Sequence, residues 1–396
     1  MAVSTSADGG SDLYTGRMID SDDLREWLIL LRTPGLNVRR LREGLLIRGG
    51  AAPFLRWLAG HGDGLTAKGR DWIAAPDEAV LARDLAWLSG DDQRLLRCTD
   101  EDFPPQLEAI PDPPAALFVK GDASLLLRPQ VAIVGARRAQ APGLANARRF
   151  AEALATGGLV VTSGMADGVD GAAHEAALDA GEPTIAVIGT GPDRVYPPKH
   201  HALARRIAAQ GAIVSEYLPG VASQPSHFPQ RNRIIAGLSL GVLVIEAGLR
   251  SGSLITARVA GEQGREVFAL PGSIHNALAE GCHALIADGA RLVQRPDEIL
   301  GVLAPAAVEL GAELKARLER FGAGPTAGRH KTGPFDWRQD DEYRRLLDAM
   351  GYDPASLDAL IGTTGFTAGA LSSMLLMLEL EGVVASLPGN RYQRVV

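Results

Sequence analysis

The residues with the clearest chemical potential lie between positions 228 and 233. This run, Phe228-Pro-Gln-Arg231-Asn232-Arg233, combines one aromatic ring, one amide and two guanidinium groups. Pro229 suits the first position of a helix, which predicts Phe228 just outside the helix and both arginines in its first turns. Proteins that bind single-stranded nucleic acid join stacking rings to cationic phosphate contacts. The run therefore predicts such a platform; the alternative is a core phenylalanine with one arginine paired to a buried carboxylate.

Three turns rich in glycine, serine or arginine supply further candidate contacts to an anion. They contain Gly135, Arg137 and Arg138 in the first, Ser163 and Gly164 in the second, and Ser251, Gly252 and Ser253 in the third. Backbone N–H groups at helix starts suit phosphate oxygens. Arg137 stands where the dinucleotide fingerprint needs its second glycine. Its long side chain suits an anion that does not closely approach the backbone, such as a polynucleotide phosphate. A pairing of Arg137 with a carboxylate is the alternative.

Other polar residues near these turns have ordinary structural explanations. Asp170 suits the N-cap of the following helix, and His174 is expected to be a packing residue. Tyr196 either stacks on a base or closes its loop.

The sequence has no HxxEH motif, no paired cysteine–histidine spacing, no Gly-Lys-Ser/Thr phosphate loop and no serine-nucleophile elbow. We therefore predict no catalytic residues, no metal and no cofactor.

Short apolar runs rich in valine and isoleucine must position these turns. They begin at Val131, Leu159, Thr184 and Leu243, and each is followed by a glycine-rich turn that carries serine, threonine or arginine and then by a helical pattern. Such runs fit strands buried on both faces, and their alternation with helices predicts a parallel sheet. Ligands of these sheets bind outside the carboxyl ends of the strands. Two further runs, Leu95–Cys98 and Ala115–Val119, are predicted to extend the sheet at its edge.

The order of these patterns predicts an α/β protein. Its core is an extended Rossmann-like parallel sheet, preceded by a helical domain and followed by a winged-helix-like domain. The predicted boundaries are a disordered tail over 1–20, the helical domain over 21–92, the Rossmann-like domain over 93–302, a linker over 303–335 and the winged-helix-like domain over 336–396. Within the linker, residues 309–321 carry a helical pattern, and glycine and proline dominate from 322 onward.

The two flanking domains carry weaker functional signals. A Pro34-Gly35-Leu36 turn between two helical runs resembles a helix-hairpin-helix or sterile-alpha-motif unit. Its arginines at 39, 40 and 42 either contact phosphate or are solvated on a packing module. In the last domain, helices are predicted over 341–350, 356–361 and 367–381, with a hairpin over 383–396. The third helix lacks lysine and arginine, and the domain has nine acids against five arginines. A docking module is therefore favoured over a duplex reader.

Composition narrows the class of protein. The formal net charge is -7, so any nucleic-acid surface must be local. Two cysteines form no disulfide framework, which predicts a reducing cytoplasm. The uncharged run from Ile234 to Ile245 is too short to span a bilayer. No signal-peptide core is present in the first 20 residues.

Taken together, the motifs resemble the DNA-processing protein A family, DprA, also called Smf. The resemblance covers residues 95–300 closely and the flanking domains more loosely. Its matching segments are Val134–Arg137, Ser163–Asp170, Gly189–Pro197, Ser215–Tyr217, Phe228–Gly237, Glu246–Ala247 and Ser251–Ala257. One departure is visible: some members carry a lysine shortly before the phenylalanine, whereas Gln224-Pro-Ser-His227 is uncharged.

The resemblance implies a protein that is not an enzyme. Members bind and protect the single-stranded DNA of natural transformation, load the RecA recombinase on it and form homodimers through the Rossmann-like domain. The DNA-binding residues so implied here are Arg137, Ser163, Gly164, Phe228, Arg231, Arg233, Ser251 and Ser253, to which we add the neighbouring Arg138, Asn232 and Gly252.

Two other classes of function remain open. The same fold superfamily resembles nucleoside-monophosphate phosphoribohydrolases, but their Pro-Gly-Gly-x-Gly-Thr-x-x-Glu motif is absent, and Pro271-Gly-Ser-Ile is the nearest segment. Release of free base from a nucleotide would support that class. A sequence-specific regulator that uses the C-terminal domain is the second, and sequence-selective duplex binding would support it.

Overall fold

The computed structural model describes residues 21–62, 64–321, 341–351, 353–364 and 366, and within the last segment 371, 374–375, 378, 383–387 and 391–395. The predicted disordered tail over 1–20 and the glycine-rich part of the linker lie outside the described residues. The chain divides into two compact units, one ending at Ala323 and the other beginning at Gly324.

Five helices form the N-terminal part of the first unit. They are α1 (Ser21–Arg32), α2 (Val38–Arg48), α3 (Ala51–His61), α4 (Ala67–Ala74) and α5 (Glu78–Leu88). Asn37 caps α2 by accepting from the backbone N–H of Arg40. Arg42 donates to the carbonyl of Pro114, and Arg39 pairs with Glu43. For these two arginines the packing interpretation fits the structure better than phosphate binding.

Nine strands form one sheet. They are β1 (Gln93–Arg97), β2 (Ala116–Gly121), β3 (Gln130–Gly135), β4 (Val160–Ser163), β5 (Thr184–Ile188), β6 (Ala212–Ser215), β7 (Gly241–Ile245), β8 (Glu266–Ala269) and β9 (Arg291–Leu292), in the spatial order β1-β2-β6-β5-β4-β3-β7-β8-β9. Strands β3 to β9 are parallel, and β1 and β2 add antiparallel at one edge. The predicted parallel sheet and its edge extension are confirmed.

Helices cover both faces of this sheet. They are α6 (Pro105–Glu108), α7 (Ala141–Thr156), α8 (Val169–Asp179), α9 (His201–Gln210), α10 (His227–Leu238), α11 (Gly252–Glu262), α12 (Glu280–Ala287) and α13 (Pro296–Phe321). Along β3, Val131 and Ile133 pack with α7, α8 and α13, whereas Ala132 and Val134 pack with α10, α11 and α12. This alternation is the period of two expected of a strand between two helical layers.

The order of the strands reverses next to β3. From β3 the chain proceeds through β4, β5 and β6 toward one edge, and from β7 it proceeds through β8 and β9 toward the other. Such a reversal opens a crevice at the carboxyl ends of the two central strands, where ligands of doubly wound sheets bind. The turns that follow β3 and β7 therefore meet at this point.

Helix α13 is longer than predicted. It continues from Pro296 to Phe321, through the first part of the predicted linker over 303–335. Leu303 and Leu310 are buried in the cluster formed by α7 and α8. Because these leucines pack against the sheet's own helical layer, the segment belongs to the first unit, and proline at 305 is accommodated within the helix.

The described residues of the second unit include two helices and a small sheet. They are α14 (Asp341–Met350), β10 (Ala355–Ser356), α15 (Leu357–Thr364), β11 (Val384–Leu387) and β12 (Arg391–Arg394). The order β10-β12-β11 includes the predicted hairpin and adds a strand before α15 that was not predicted. The predicted third helix over 367–381 and the turn over 388–390 lie mostly outside the described residues. Leu346, Leu360 and Leu375 share one buried cluster.

Candidate nucleic-acid site

A pocket of about 900 Å³ lies at the crevice between β3 and β7. The turn after β3, the loop before α9, the first turns of α10 and α11 and the segment before α12 all contribute to its walls. Eight of the eleven predicted DNA-binding residues line it, together with Tyr196: Arg137, Arg138, Phe228, Arg231, Asn232, Ser251, Gly252 and Ser253. Four predicted contact segments, distant in the chain, thus meet around one opening.

Three exposed arginines, which we call the rim arginines, surround the pocket: Arg137, Arg138 and Arg250. Among the residues that the structure describes, none of them has an ion-pair partner. The guanidinium carbon of Arg137 lies 5.5 Å from the ring centroid of Phe228. The alternative pairing of Arg137 with a carboxylate is therefore not observed within the described chain, and its charge remains available to an anion.

Two aromatic rings form one wall of the pocket. Phe228 is half-buried, and its ring centroid lies 5.5 Å from that of Tyr196, at an interplanar angle of 42°. Tyr196 is 43% exposed. Phe228 lies in the first turn of α10 rather than outside the helix as predicted, because the helix begins at His227, two residues before the predicted start at Pro229. Both rings line the pocket, and aromatic rings are side chains that stack on planar ligands.

Arg231 is a buried residue of the pocket floor. Its guanidinium donates to the carbonyl of Val187, and burial lowers its pKa to about 10, an effect that the charge of Asp170 opposes. A Cβ at Gly164 would lie 2.2 Å from Nη1 of Arg231, so only glycine leaves room for this guanidinium. Arg231 can support a bound anion from below but is not an exposed phosphate contact.

The expectation that Ser163 and Gly164 present free N–H groups to an anion is wrong. Ser163 is fully buried, and its hydroxyl donates to the carbonyl of Ile133 at 2.6 Å. The N–H of Gly164 donates to Oδ2 of Asp170 at 3.1 Å. The donors of this turn are satisfied within the protein, so the turn supports the pocket floor instead of binding a ligand.

Asp170 has a different structural role from the predicted N-cap. Helix α8 begins at Val169, preceded by Gly168. The carboxylate of Asp170 accepts from the backbone N–H groups of Gly164 and Ala166, at 3.1 and 3.3 Å. Burial raises its pKa, while Arg231 and these N–H donors favour the ionised form. Asp170 thus fixes the loop after β4 at the base of the pocket.

Arg233 does not belong to the pocket lining. Its guanidinium lies 2.6 Å from Glu216 and 3.2 Å from Asp112, and its side chain is only 14% exposed. The predicted phosphate contact is therefore wrong for this residue, since its guanidinium is paired with both carboxylates and is absent from the pocket lining. The sequence alternative, one arginine paired with a carboxylate, describes Arg233. Asn232 does line the pocket, and its amide nitrogen lies 3.5 Å from the carbonyl of Gly252.

The start of α11 faces the pocket. Ser251 is its N-cap, and the hydroxyl oxygens of Ser251 and Ser253 lie 2.7 Å apart. Gly252 follows the cap, and no atom lies within 4 Å of the position of an added Cβ there. The serine hydroxyls and the partial positive charge of the helix start suit an anionic group entering from the rim arginines.

Glu246 is a site residue whose role the sequence did not reveal. It follows β7 with a φ of 52°, and its Oε2 accepts from the backbone N–H of Gln140 at 2.8 Å. A Cβ at Gly143 would lie within 2.4–2.7 Å of its carboxyl group. A carboxylate therefore occupies the start of α7, the position where dinucleotide-binding folds hold the pyrophosphate. The glycine two residues into α7 was a signal for this close approach.

His174 is a packing residue, as expected. Its Nδ1 lies 2.7 Å from Oγ1 of Thr184, whose own proton is donated to the carbonyl of Val161. Nδ1 of His174 is therefore the donor. Desolvation by burial lowers its pKa to about 3, which keeps the ring neutral.

Within the described segments, no group of three or more histidine, cysteine, aspartate or glutamate side chains could hold a metal ion. No helix among them is long and apolar enough to cross a membrane.

Comparison with known proteins identifies the family. Residues 94–304, more than half of the chain, match the family model described as DNA recombination-mediator protein A. The chain belongs to this family. Residues 336–390 match the DprA winged helix domain, so the C-terminal unit is a winged helix of the type found in DprA. The predicted fold class and the predicted resemblance are both confirmed.

Relatives and solved structures agree with this assignment. The chain is 42% identical to Protein Smf of Escherichia coli over 303 residues, covering 76% of this chain and 77% of that protein. It is 48% identical to the DNA processing protein DprA of Streptococcus pneumoniae over 201 residues, covering 51% and 71%. The X-ray structure of the pneumococcal DprA matches with a TM-score of 0.63 and 38% identity, over 70% of this chain and 97% of that one.

A second solved structure is described as showing a single-stranded DNA binding mode. It is DNA processing protein A from Helicobacter pylori, which is similar to this chain with a TM-score of 0.50 and 31% identity. The match covers 54% of this chain and 96% of the other.

Proposed function

We propose that this protein binds single-stranded DNA in the pocket between β3 and β7. The observation that carries the proposal is the meeting of the three rim arginines with the rings of Phe228 and Tyr196 around one opening. Cations that neutralise phosphates and rings that stack on bases are the two components of single-strand recognition. The single-strand binding described for the Helicobacter pylori relative supports it.

The site favours a single strand over a duplex for a geometric reason. Its rings stand in the wall of a recessed pocket built from loops and helix starts. A base can reach them only when it is unpaired and turned out of a stack, as it readily is in a single strand. A duplex presents phosphates to the rim arginines but keeps its bases away from Phe228, so it forms only part of the contacts.

The same residues argue against nucleotide chemistry. Glu246 places a carboxylate at the start of α7, where a cofactor pyrophosphate would suffer like-charge repulsion. The phosphoribohydrolase motif is absent from the sequence. Among the described pocket residues, no serine lies beside a histidine base. We therefore propose that the protein acts on DNA by binding, without catalysis.

Family membership supports the proposal of a wider role. As a recombination mediator, the protein would protect incoming single strands during natural transformation in the cytoplasm and transfer them to RecA. One pocket has few cations and grips a short stretch of strand, so stable protection requires linked sites. A homodimer with two pockets gains from effective concentration. We therefore include a dimer and RecA loading in the proposal.

Fluorescence anisotropy with oligo-dT and with a matched duplex, each at several salt concentrations, tests the binding step. The variant Arg137→Ala/Arg138→Ala/Arg250→Ala removes the rim arginines. The variant Arg128→Ala/Arg148→Ala/Arg149→Ala removes the same charge from exposed arginines outside the pocket lining. We expect tighter binding of the single strand and a loss confined to the first variant. Equal affinity for duplex and single strand, or equal losses in both variants, would contradict the proposal.

RecA-dependent strand invasion on single strands coated with single-strand-binding protein tests the wider role. We expect the wild type to speed invasion and the rim variant to lose this effect. If the rim variant stimulates strand invasion as well as the wild type does, the effect on RecA does not depend on DNA bound in this pocket.

A further inference from the structure

One loop supports the helix start that carries Phe228. We call residues 216–226, between β6 and α10, the supporting loop. The hydroxyl oxygen of Tyr217 lies 3.3 Å from the carbonyl oxygen of His227, and the rings of these two residues stack with their centroids 4.0 Å apart. His227 begins α10 directly before Phe228, and Pro225 of the same loop lines the pocket. The position of the Phe228 ring therefore depends on the supporting loop.

The supporting loop also contacts the turn that leads to Tyr196. The backbone N–H of Gly191 donates to the carbonyl of Val221 at 2.9 Å. In the opposite direction, the backbone N–H of Gly220 donates to Oδ1 of Asp193 at 2.8 Å. Tyr196, three residues after Asp193, carries the second ring of the pocket wall. Because both rings are connected to one loop, a displacement of that loop changes the positions of both.

The N-terminal helices hold the base of the supporting loop. Arg32 is the last residue of α1, and its Nη2 lies 2.7 Å from Oδ1 of Asp84 in α5. The same nitrogen donates to the carbonyl of Pro219 at 3.2 Å. The side chain of Asp84 is fully buried, and that of Arg32 is 18% exposed. Leu218 packs against the apolar cluster of these helices. One buried ion pair thus joins α1, α5 and the supporting loop.

The contact with the loop distinguishes this ion pair from its neighbour. A buried ion pair is by itself weak evidence for stability, because the cost of desolvation offsets the attraction of the charges. Arg25 and Glu78 form a second pair between α1 and α5, with side chains that are 38% and 68% exposed. Within the described chain, that pair has no hydrogen bond or ion pair to the supporting loop. The pair of Arg32 and Asp84 is therefore the one of the two that can transmit the position of the helices to the loop.

We propose that Arg32 and Asp84 are positioning residues of the DNA site, through which the N-terminal helices fix the aromatic wall. This rests on the proposed function, since the wall must stack on bases. Neither residue lines the pocket, so neither contacts a base or phosphate there. A loop held at Pro219 keeps the rings of Tyr196 and Phe228 in place before DNA arrives. A base then binds without the cost of ordering the wall, and this preorganisation increases affinity.

The variant Arg32→Met/Asp84→Leu tests the proposal in the full-length protein. It removes the ion pair and the donor to Pro219 but leaves no unpaired buried charge, so the fold is retained. We expect short oligo-dT to bind about two- to fivefold more weakly, a smaller loss than that of Phe228→Ala, because the rings are displaced and not removed. The same strand with abasic sites should bind the variant and the wild type alike. The salt slope should not change, because no phosphate contact is lost.

Hydrogen exchange measured by mass spectrometry tests the anchoring of the loop directly. Backbone amides of residues 216–226 should exchange faster in Arg32→Met/Asp84→Leu than in the wild type, because the loop opens more readily. The control variant Arg25→Gln/Glu78→Gln cuts the other connection between α1 and α5. It should match the wild type in oligo-dT affinity and in exchange of the loop.

A variant without the rings separates positioning from a general loss of structure. In the background Tyr196→Ala/Phe228→Ala, the change Arg32→Met/Asp84→Leu should cause no further loss of affinity, since no ring remains to be positioned. A further loss in that background, equal losses on intact and abasic strands, or wild-type exchange of the loop would overturn the proposal. Unchanged affinity for intact oligo-dT would overturn it as well. Failure of the proposed function is distinct, because there Tyr196→Ala/Phe228→Ala would itself bind oligo-dT as well as the wild type does.

Discussion

Removing the ring of Phe228 should weaken DNA binding through stacking alone. The ring is half-buried in the pocket wall, beside Tyr196 and under the guanidinium of Arg137. Alanine at this position removes the stacking surface for one base, which costs about 1–3 kcal/mol. This corresponds to an affinity reduced from about fivefold to somewhat over a hundredfold. Because no charge is removed, the salt dependence of binding should stay as in the wild type.

The assay is anisotropy with a short oligo-dT and with the same strand carrying abasic sites. Phe228→Ala should bind intact oligo-dT more weakly, but wild type and variant should bind the abasic strand alike, because no base remains to stack. Phe228→Trp, which keeps an aromatic face, should recover most of the affinity. Equal losses on intact and abasic strands would refute stacking and would mean that the ring serves to position Arg137.

Five other outcomes follow from the same structure. Arg250→Ala should flatten the salt slope by about 0.7. Arg233→Ala should leave the slope unchanged and lower the free energy of unfolding by about 1–3 kcal/mol, because its carboxylate partners lose their cation; urea denaturation measures this. His174, with a folded pKa of about 3 below an unfolded value of 6.5, should contribute stability that is complete above the unfolded pKa and is lost as pH falls toward 3. Urea midpoints at about pH 5 and about pH 7 should therefore differ less in His174→Gln than in the wild type. Deletion of residues 325–396 should leave oligo-dT affinity nearly unchanged, since residues 336–396 carry nine acids against five arginines. Millimolar NAD or FAD should give no thermal shift, because Glu246 occupies the start of α7; a shift of several degrees would contradict that argument.

The sheet could be predicted from the sequence because its strands are buried on both faces. Continuous runs such as Val131–Val134 and Leu243–Ile245 leave few alternatives to a central parallel strand. The extent of α13 could not be predicted in the same way. Its Leu303 and Leu310 pack on helices that are more than 120 residues earlier in the chain. Pro305 inside the segment also predicted a break in the helix, but the packing of α13 keeps the helix continuous.

The candidate site was predicted as a set of segments, but the orientation of each side chain was not. The sequence treated Arg137, Arg231 and Arg233 as equivalent cations. The structure leaves only Arg137 exposed at the pocket, while Arg231 is buried under it and Arg233 is held by Glu216 and Asp112. The pattern of residues 228–233 does not indicate which arginine stays exposed, because the carboxylates that pair with Arg233 lie on other loops around the sheet.

The same reasoning explains why the turn at Ser163 resembles an anion site without being one. A glycine-rich turn before a helix binds an external anion only when its N–H groups have no internal acceptor. Here Asp170, at the start of α8, supplies that acceptor from within the motif itself. Glu246 likewise supplies a carboxylate acceptor at the start of α7, where it binds the backbone N–H of Gln140. Three described helices, α7, α8 and α11, follow β3, β4 and β7. The starts of α7 and α8 are occupied by the protein's own carboxylates. The start of α11, which has serine hydroxyls beside Arg250, is therefore the one of the three that can receive a phosphate.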